Sequence, residues 1–143
     1  MNDKKLQLVS FSQAKRLKAA GFDWEVDNFY NGEDLVYCWM FFDRTAEDLR
    51  SNYNCKFEWE YGTVQEFISA PTVALALKWM YTVHNIYGCV MKMDWFKEPG
   101  QFEYRYILPN SENYSCGSYR FDTPDEAGSY LLDELLTILE KEK

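Results

Sequence analysis

The sequence predicts an α+β fold in which an antiparallel sheet of about five strands packs with two to three helices. Three observations carry that expectation. Several short stretches alternate apolar and polar residues with a period of two, the mark of a half-buried strand. Three other stretches place apolar residues at helical spacing between residues suited to helix ends. The chain is also rich in aromatic side chains, with 11 Tyr, 10 Phe and 5 Trp, and these favour strands. At 143 residues, positions 1–143 fit a single domain, and the 47% apolar fraction supplies a core without metals or disulfides.

The first element is a short helix in "SFSQAKRLKAAGF", residues 10–22. Ser10 can cap it, Gln13 stands three residues on as in a capping box, and Gly21 suits the position after the end. Phe11, Ala14 and Leu17 give it an inward face. Lys15, Arg16 and Lys18 lie mostly outside, either as a basic patch or as a plain solvated face.

The acidic stretch "DWEVDNFYNGED", residues 23–34, invites comparison with a calcium loop. An EF-hand loop starting at Asp23 needs glycine at its sixth place and a bidentate glutamate at its twelfth. Asn28 and Asp34 stand there instead, and no second helix is predicted to follow. The stretch alternates Asp23, Glu25 and Asp27 with Trp24 and Val26, which reads as a strand. Asn31-Gly32 then supplies a type I′ turn, and "LVYCWMFF", residues 35–42, returns as an interior strand.

In residues 43–66, "AEDLR" reads as one helical turn and "KFEWEY" as a strand. That strand alternates Phe57, Trp59 and Tyr61 with Lys56, Glu58 and Glu60. "SAPTVALALKWMYTVHN" is a helix with Ser69 as cap, Pro71 in the first turn and Asn85 as terminator. Its stripe of Val73, Ala76, Leu77, Met80 and His84 is widened by Leu75, Trp79 and Val83, so it is expected to be buried against a sheet on one side and another chain on the other.

Residues 86–96 and 101–108 read as strands joined by the turn Glu98-Pro99-Gly100, and "SCGSYRF", residues 115–121, as a third. The last helix follows Thr123, with Pro124 at its first position and acids in its first turn. Ala127, Tyr130, Leu131, Leu135, Ile138 and Leu139 are expected to face the sheet.

Charge is uneven along the chain. Residues 1–20 carry five basic side chains and one acid, residues 21–70 three and eleven, and residues 71–143 seven and eleven, for a net charge of −8. Such a surface repels phosphate backbones except at the first helix, so nucleic acid is not expected as a general partner. No apolar run has the ~18 residues of a membrane span, and "MNDKKLQLVSFSQAK" lacks the apolar core of a secretory signal. Cys38, Cys55, Cys89 and Cys116 are widely spaced, a poor pattern for zinc, and are expected as reduced, semi-buried thiols in a cytoplasmic protein. Asn113-Tyr114-Ser115 matches a glycosylation sequon, which has no meaning in that compartment.

Catalytic signatures are missing. His84 is the single histidine, and its place at a helix end suits a structural role. No phosphate loop, dinucleotide fingerprint, nucleophile elbow or zinc-protease helix occurs. No cofactor is implied. Single-stranded nucleic acid stacked on Tyr104 and Tyr106 is a further reading, but the element order is wrong for that kind of sheet, and Glu103 lies alongside. Core packing beneath a helix accounts for them better.

The reading that follows is a non-enzymatic protein-binding accessory or inhibitor. Its acidic, aromatic contact surface includes Glu58, Trp59, Glu60 and Tyr61. A homodimer built on an uncovered aromatic sheet face is compatible with it. The alternative is a carboxylate-dependent hydrolase, with or without a divalent metal, whose acids converge from different elements.

Three segments also carry a resemblance. "SAPTVALALKWMYTVHNI" resembles the "SAPT…LLQKWLRE.H.I" segment of a family of small proteins of phages and prophages of gut Bacteroidetes. "RFDTPDEAGSYLLDELLTIL" is similar to that family's closing "YDTYEEALEAGLLEALKLI" helix, and "QAKRLKAAGFDW" to its "A..LKEAGFDW" opening. Residues 43–66 have no counterpart. Pro124 replaces the family's usual aromatic residue, and Met80-Tyr81-Thr82 replaces Leu-Arg-Glu, which removes the basic residue after the tryptophan. The resemblance implies a mobile-element origin and no particular activity.

Overall fold

A computed structural model describes residues 7–37, 56–58, 64–92, 101–117 and 119–142. These residues form an α+β fold with three helices and two antiparallel sheets, one of four strands and one of three, in place of one sheet of about five. The chain divides into two compact units, residues 8–72 and residues 1–7 with 73–143.

In the unit of residues 8–72, helix α1 (Phe11–Ala19) precedes strands β1 (Asn28–Asn31), β2 (Asp34–Tyr37), β3 (Lys56–Glu58) and β4 (Val64–Ser69). The sheet order is β2-β1-β4-β3, and every pairing is antiparallel. The start of α1 is the capping box read from the sequence. Ser10 Oγ accepts from Gln13 N, and Gln13 Oε1 accepts from Ser10 N at 2.9 Å. Its end is a Schellman motif, in which Phe22 N–H donates to Leu17 O and Gly21 N–H to Lys18 O. Gly21 holds φ +96°, a conformation costly for any residue with a Cβ. Phe22 and Leu17 are both buried, as the hydrophobic contact of that motif requires.

The acidic stretch runs into a hairpin. Residues 23–27 keep the expected alternation, acids outside and Val26 buried, but the first sheet strand begins only at Asn28. Asn31 pairs with Asp34, so the turn residues are Gly32-Glu33 and not Asn31-Gly32. Gly32 takes φ +61° and Glu33 is not among the positive-φ residues, which is the pattern of a type II′ turn. Phe29 packs on Phe67 with ring centroids 4.8 Å apart, and Tyr30 Oη donates to Val9 O at 2.8 Å. The "AEDLR" turn and residues 38–42 lie outside the described residues.

The second unit contains α2 (Val73–His84), β5 (Tyr87–Lys92), β6 (Phe102–Ile107), β7 (Ser115–Cys116) and α3 (Pro124–Lys141). Helix α2 starts later than its sequence suggests. Ser69 is the buried last residue of β4, and the Pro71 carbonyl accepts from Val9 N–H, so both belong to the first unit. Asn85 ends α2 at φ 56°, as expected. Val73, Ala76, Trp79 and Met80 are buried, whereas Val83 is 53% exposed. His84 packs its ring edge-on against Trp79, centroids 4.7 Å apart.

Helix α3 packs on β5, β6 and α2. Thr123 Oγ1 accepts from Glu126 N–H, with Pro124 in the first turn. The buried stripe is Ala127, Gly128, Leu131, Leu132, Leu135, Leu136 and Leu139. Tyr130, expected inside, is 55% exposed. The third strand of this sheet is shorter than predicted. It covers Ser115–Cys116, and Phe121 rejoins Phe102 in a single bridge with two backbone hydrogen bonds. The turn at residues 98–100 lies outside the described residues.

Candidate interaction surface

The three-stranded sheet has two chemically different faces, set by the register of β5 on β6. Gly88 pairs with Tyr106, Val90 with Tyr104, and Cys89 with Arg105. Even-numbered residues therefore look toward α3 and odd-numbered residues look away from it.

On the inner face, Gly88 lets the helix approach. A Cβ there would lie 3.0 Å from Leu131 Cδ2. Tyr104 and Tyr106 are buried beneath α3, and both hydroxyls donate to the Glu134 carboxylate, the Tyr106 bond measuring 2.8 Å. Burial, and then the hydrogen bond and charge of Glu134, hold both hydroxyls above the ordinary tyrosine value, Tyr104 the further. Buried in this way, neither presents a ring for stacking nucleic acid. These tyrosines are core residues with one polar anchor.

The outer face carries Tyr87, Cys89 and Met91 on β5 and Glu103, Arg105 and Ile107 on β6. Tyr87 is 51% exposed, Met91 37% and Ile107 36%. Tyr81, at the end of α2, meets Tyr87 edge-on with centroids 5.8 Å apart, which extends the aromatic surface. Tyr114, in the loop before β7, lies under the Arg105 guanidinium at 4.7 Å. Arg105 also pairs with Glu103, Nη2 to Oε1 at 2.9 Å and Nε to Oε1 at 3.0 Å. That hydrogen bond raises the affinity of Arg105 for its proton. A depression of about 170 Å³ opens among Tyr87, Cys89, Met91, Arg105, Ile107 and Tyr114.

A surface of Tyr, Met and Ile around one Arg has the composition of a protein-contact hot spot, where aromatic residues, Met and Arg gather and Lys is scarce. Its depression is smaller than the ~300–1,000 Å³ of a small-molecule pocket and suits a single side chain. The sequence pointed to a different place. Trp59, Glu60 and Tyr61 lie outside the described residues, and of Glu58 the structure describes the backbone, at the end of β3 opposite Val64. The residues of the sheet face escaped notice for a simple reason. Alternation shows that a strand has two sides, but not which side a helix will cover.

Cys89 is half-buried and Cys116 exposed, and neither is in a disulfide. Both flank Arg105 in one cross-strand row, two strand spacings from each other, which is too far for a disulfide. Among the described residues, no three His, Cys, Asp or Glu side chains gather as metal ligands, and no helix is long and apolar enough to cross a membrane. No protein-family model matches the chain, and neither a curated protein nor a solved structure is similar enough to match it.

Proposed function

We propose that the protein is a non-enzymatic binding protein that acts through protein–protein contact, as an accessory or inhibitor. The supporting observation is the outer face of the three-stranded sheet. There Tyr81, Tyr87, Met91, Ile107 and Tyr114 are exposed together around an arginine already neutralised by Glu103. An apolar patch of this kind is worth burying, and its centre presents no unpaired charge to be stripped of water. On the resemblance to phage and prophage proteins, the partner would be a protein of a bacterial host. A second copy of the chain is the other partner this face suits. No observation among the described residues favours the carboxylate-dependent hydrolase.

The test is a pull-down from bacterial lysate with tagged wild type, Tyr87→Glu, and a Glu58→Lys/Glu60→Lys double variant, read by mass spectrometry. Light scattering of the free protein runs beside it. The expected result is one stoichiometric partner that Tyr87→Glu loses while its melting temperature holds. Loss with the double variant alone would move the contact to residues 58–61. A mass that rises with concentration for wild type but not for Tyr87→Glu would make the partner a second copy. Equal capture by all three proteins would reject both surfaces.

A further inference from the structure

One edge of the three-stranded sheet carries chemistry that its outer face does not use, and the register assigns it. Phe102 and Phe121 exchange both backbone hydrogen bonds, and Gly117 N–H donates to Tyr104 O. The backbone groups of Phe102, Tyr104 and Tyr106 therefore point to the β7 side, and those of Glu103, Arg105 and Ile107 point to β5. In the antiparallel register these last three face Met91, Cys89 and Tyr87. The N–H and C=O groups of Gly88, Val90 and Lys92 are left pointing out of the sheet, at ~7 Å intervals. Among the described residues, no strand pairs with that edge.

Three features make this edge a receiving site. It is regular and unprotected: β5 keeps its register on β6 throughout, without a bulge or a proline, and Lys92 is its single charge. It is accessible, since Gly88 and Val90 are half-buried and Lys92 is exposed. It also has a floor. Helix α3 packs across β5 and β6, whereas α2 packs on β5 and α3, so α2 lies toward the open edge. There Ala74 and Leu77 of α2, Gly128 of α3, Val90 and Gln7 line a depression of about 190 Å³, room for one side chain. The same floor decides what can pair. A strand entering here must bring no helix beneath it, because α2 already fills that place. In two-fold self-pairing, β5 of the second copy would carry its own α3 on that side, which obstructs it.

We infer, on the reading that this is a protein-binding protein, that β5 takes an extended, helix-free segment of the partner as a fourth strand. Only an extended backbone offers alternating donors and acceptors at the spacing of Gly88, Val90 and Lys92. The residue opposite Val90 points down into the depression and is apolar, of the size of valine or leucine. Its two neighbours point to the other side, beside Cys89 and Met91, where they widen the outer contact face.

The test is amide hydrogen exchange on the isotope-labelled full chain, read residue by residue by NMR, alone and with a peptide. The peptide is the tightest binder selected against the immobilised chain from a random dodecapeptide library. In the free protein, Gly88, Val90 and Lys92 should exchange about tenfold or more faster than Tyr87, Cys89 and Met91. Saturating peptide should slow the first three by about tenfold or more and change the others little. Val90→Pro removes an edge donor that β6 does not use, and should weaken the peptide by about tenfold or more. Ala74→Trp fills the depression from an exposed position on α2 and should weaken it similarly. Ile107→Glu, on the outer face one strand in from the edge, should leave the affinity unchanged. Melting temperatures check that each variant folds, and if Val90→Pro does not, Ala74→Trp carries the comparison. Slow exchange of Gly88, Val90 and Lys92 in dilute free protein would overturn the proposal, because the edge is then already filled. Protection that grows with protein concentration alone would give the edge to a second copy and overturn it too. So would a library without a binder, or a peptide held equally by wild type and both edge variants. A peptide lost with Ile107→Glu instead would overturn the edge and leave the outer face as the contact.

Discussion

Glu134 interrupts a helix face otherwise built of leucines, and its placement explains two tyrosines at once. A half-buried carboxylate must keep its hydrogen bonds, and Tyr104 and Tyr106 supply them from the strand below. Tyr104→Phe removes one donor, and because Tyr106 remains the expected loss is modest, about 1 kcal/mol in urea unfolding at pH 7. The pH dependence is more telling. Both hydroxyls titrate above the ordinary value of about 10 in the folded protein. Their contribution is therefore whole below pH ~10 and is lost as pH rises past it, because the unfolded chain gives up these protons first. Tyr104→Phe should lose stability less steeply than wild type as pH rises above ~10. Identical slopes would show that Glu134 does not govern this titration. Gly117 belongs to the same cluster, since a Cβ there would fall 2.4 Å from the Tyr104 ring. Gly117→Ala should cost about 1–3 kcal/mol through overpacking. Combining it with Tyr104→Ala, which empties the space, should remove most of that penalty, and a full additive cost would contradict the contact.

At the scale of elements, the parts readable in the sequence are those fixed by local chemistry. The box formed by Ser10 and Gln13, the glycine after α1, the cap at Thr123 and the stop at Asn85 all act within a few residues, and the structure keeps each one. Ser10→Ala should therefore cost about 1 kcal/mol, against almost nothing for exposed Ser12→Ala, compared by thermal unfolding. What the sequence concealed depends on partners far along the chain. Ser69 looks like a cap, but it is claimed by the pairing of β4 with β1. The leucine face of α3 is rotated from its expected position because the helix packs on α2 as well as on the sheet. That second neighbour buries Leu132 and Leu136, while Tyr130 moves to the rim, beside Phe121. Leu135→Ala, at a fully buried position, should cost about 2–5 kcal/mol, whereas Tyr130→Ala should cost far less. The candidate interface was hidden for the same reason. Period two is visible in "YGCVMK" and "FEYRYI", but the face left open is decided by where a helix some 20 residues later comes to rest.

At the scale of the whole molecule, the net charge of −8 and the neutral, aromatic sheet face predict separate effects on binding to a basic protein partner. Charge acts over distance during approach and fades once salt shortens the screening length, from ~10 Å at 0.1 M to ~3 Å at 1 M. The apolar centre acts only on contact, where water has been expelled. Association rates should therefore fall as ionic strength rises, with dissociation rates changing little. Tyr87→Ala or Ile107→Ala should do the reverse. Each should leave association nearly unchanged and speed dissociation roughly five- to thirty-fold, the equivalent of about 1–2 kcal/mol. Stopped-flow or surface-based kinetics on the captured partner, at several salt concentrations, would resolve the two effects. An association rate indifferent to salt would leave the acidity with a role in solubility alone. A dissociation rate indifferent to both substitutions would take the contact off this sheet. The separation is meaningful because the face is closed electrostatically by its own Glu103–Arg105 pair. A partner reaching it meets apolar surface with no charge left to bargain over, so residence time rests on the tyrosines, the methionine and the isoleucine.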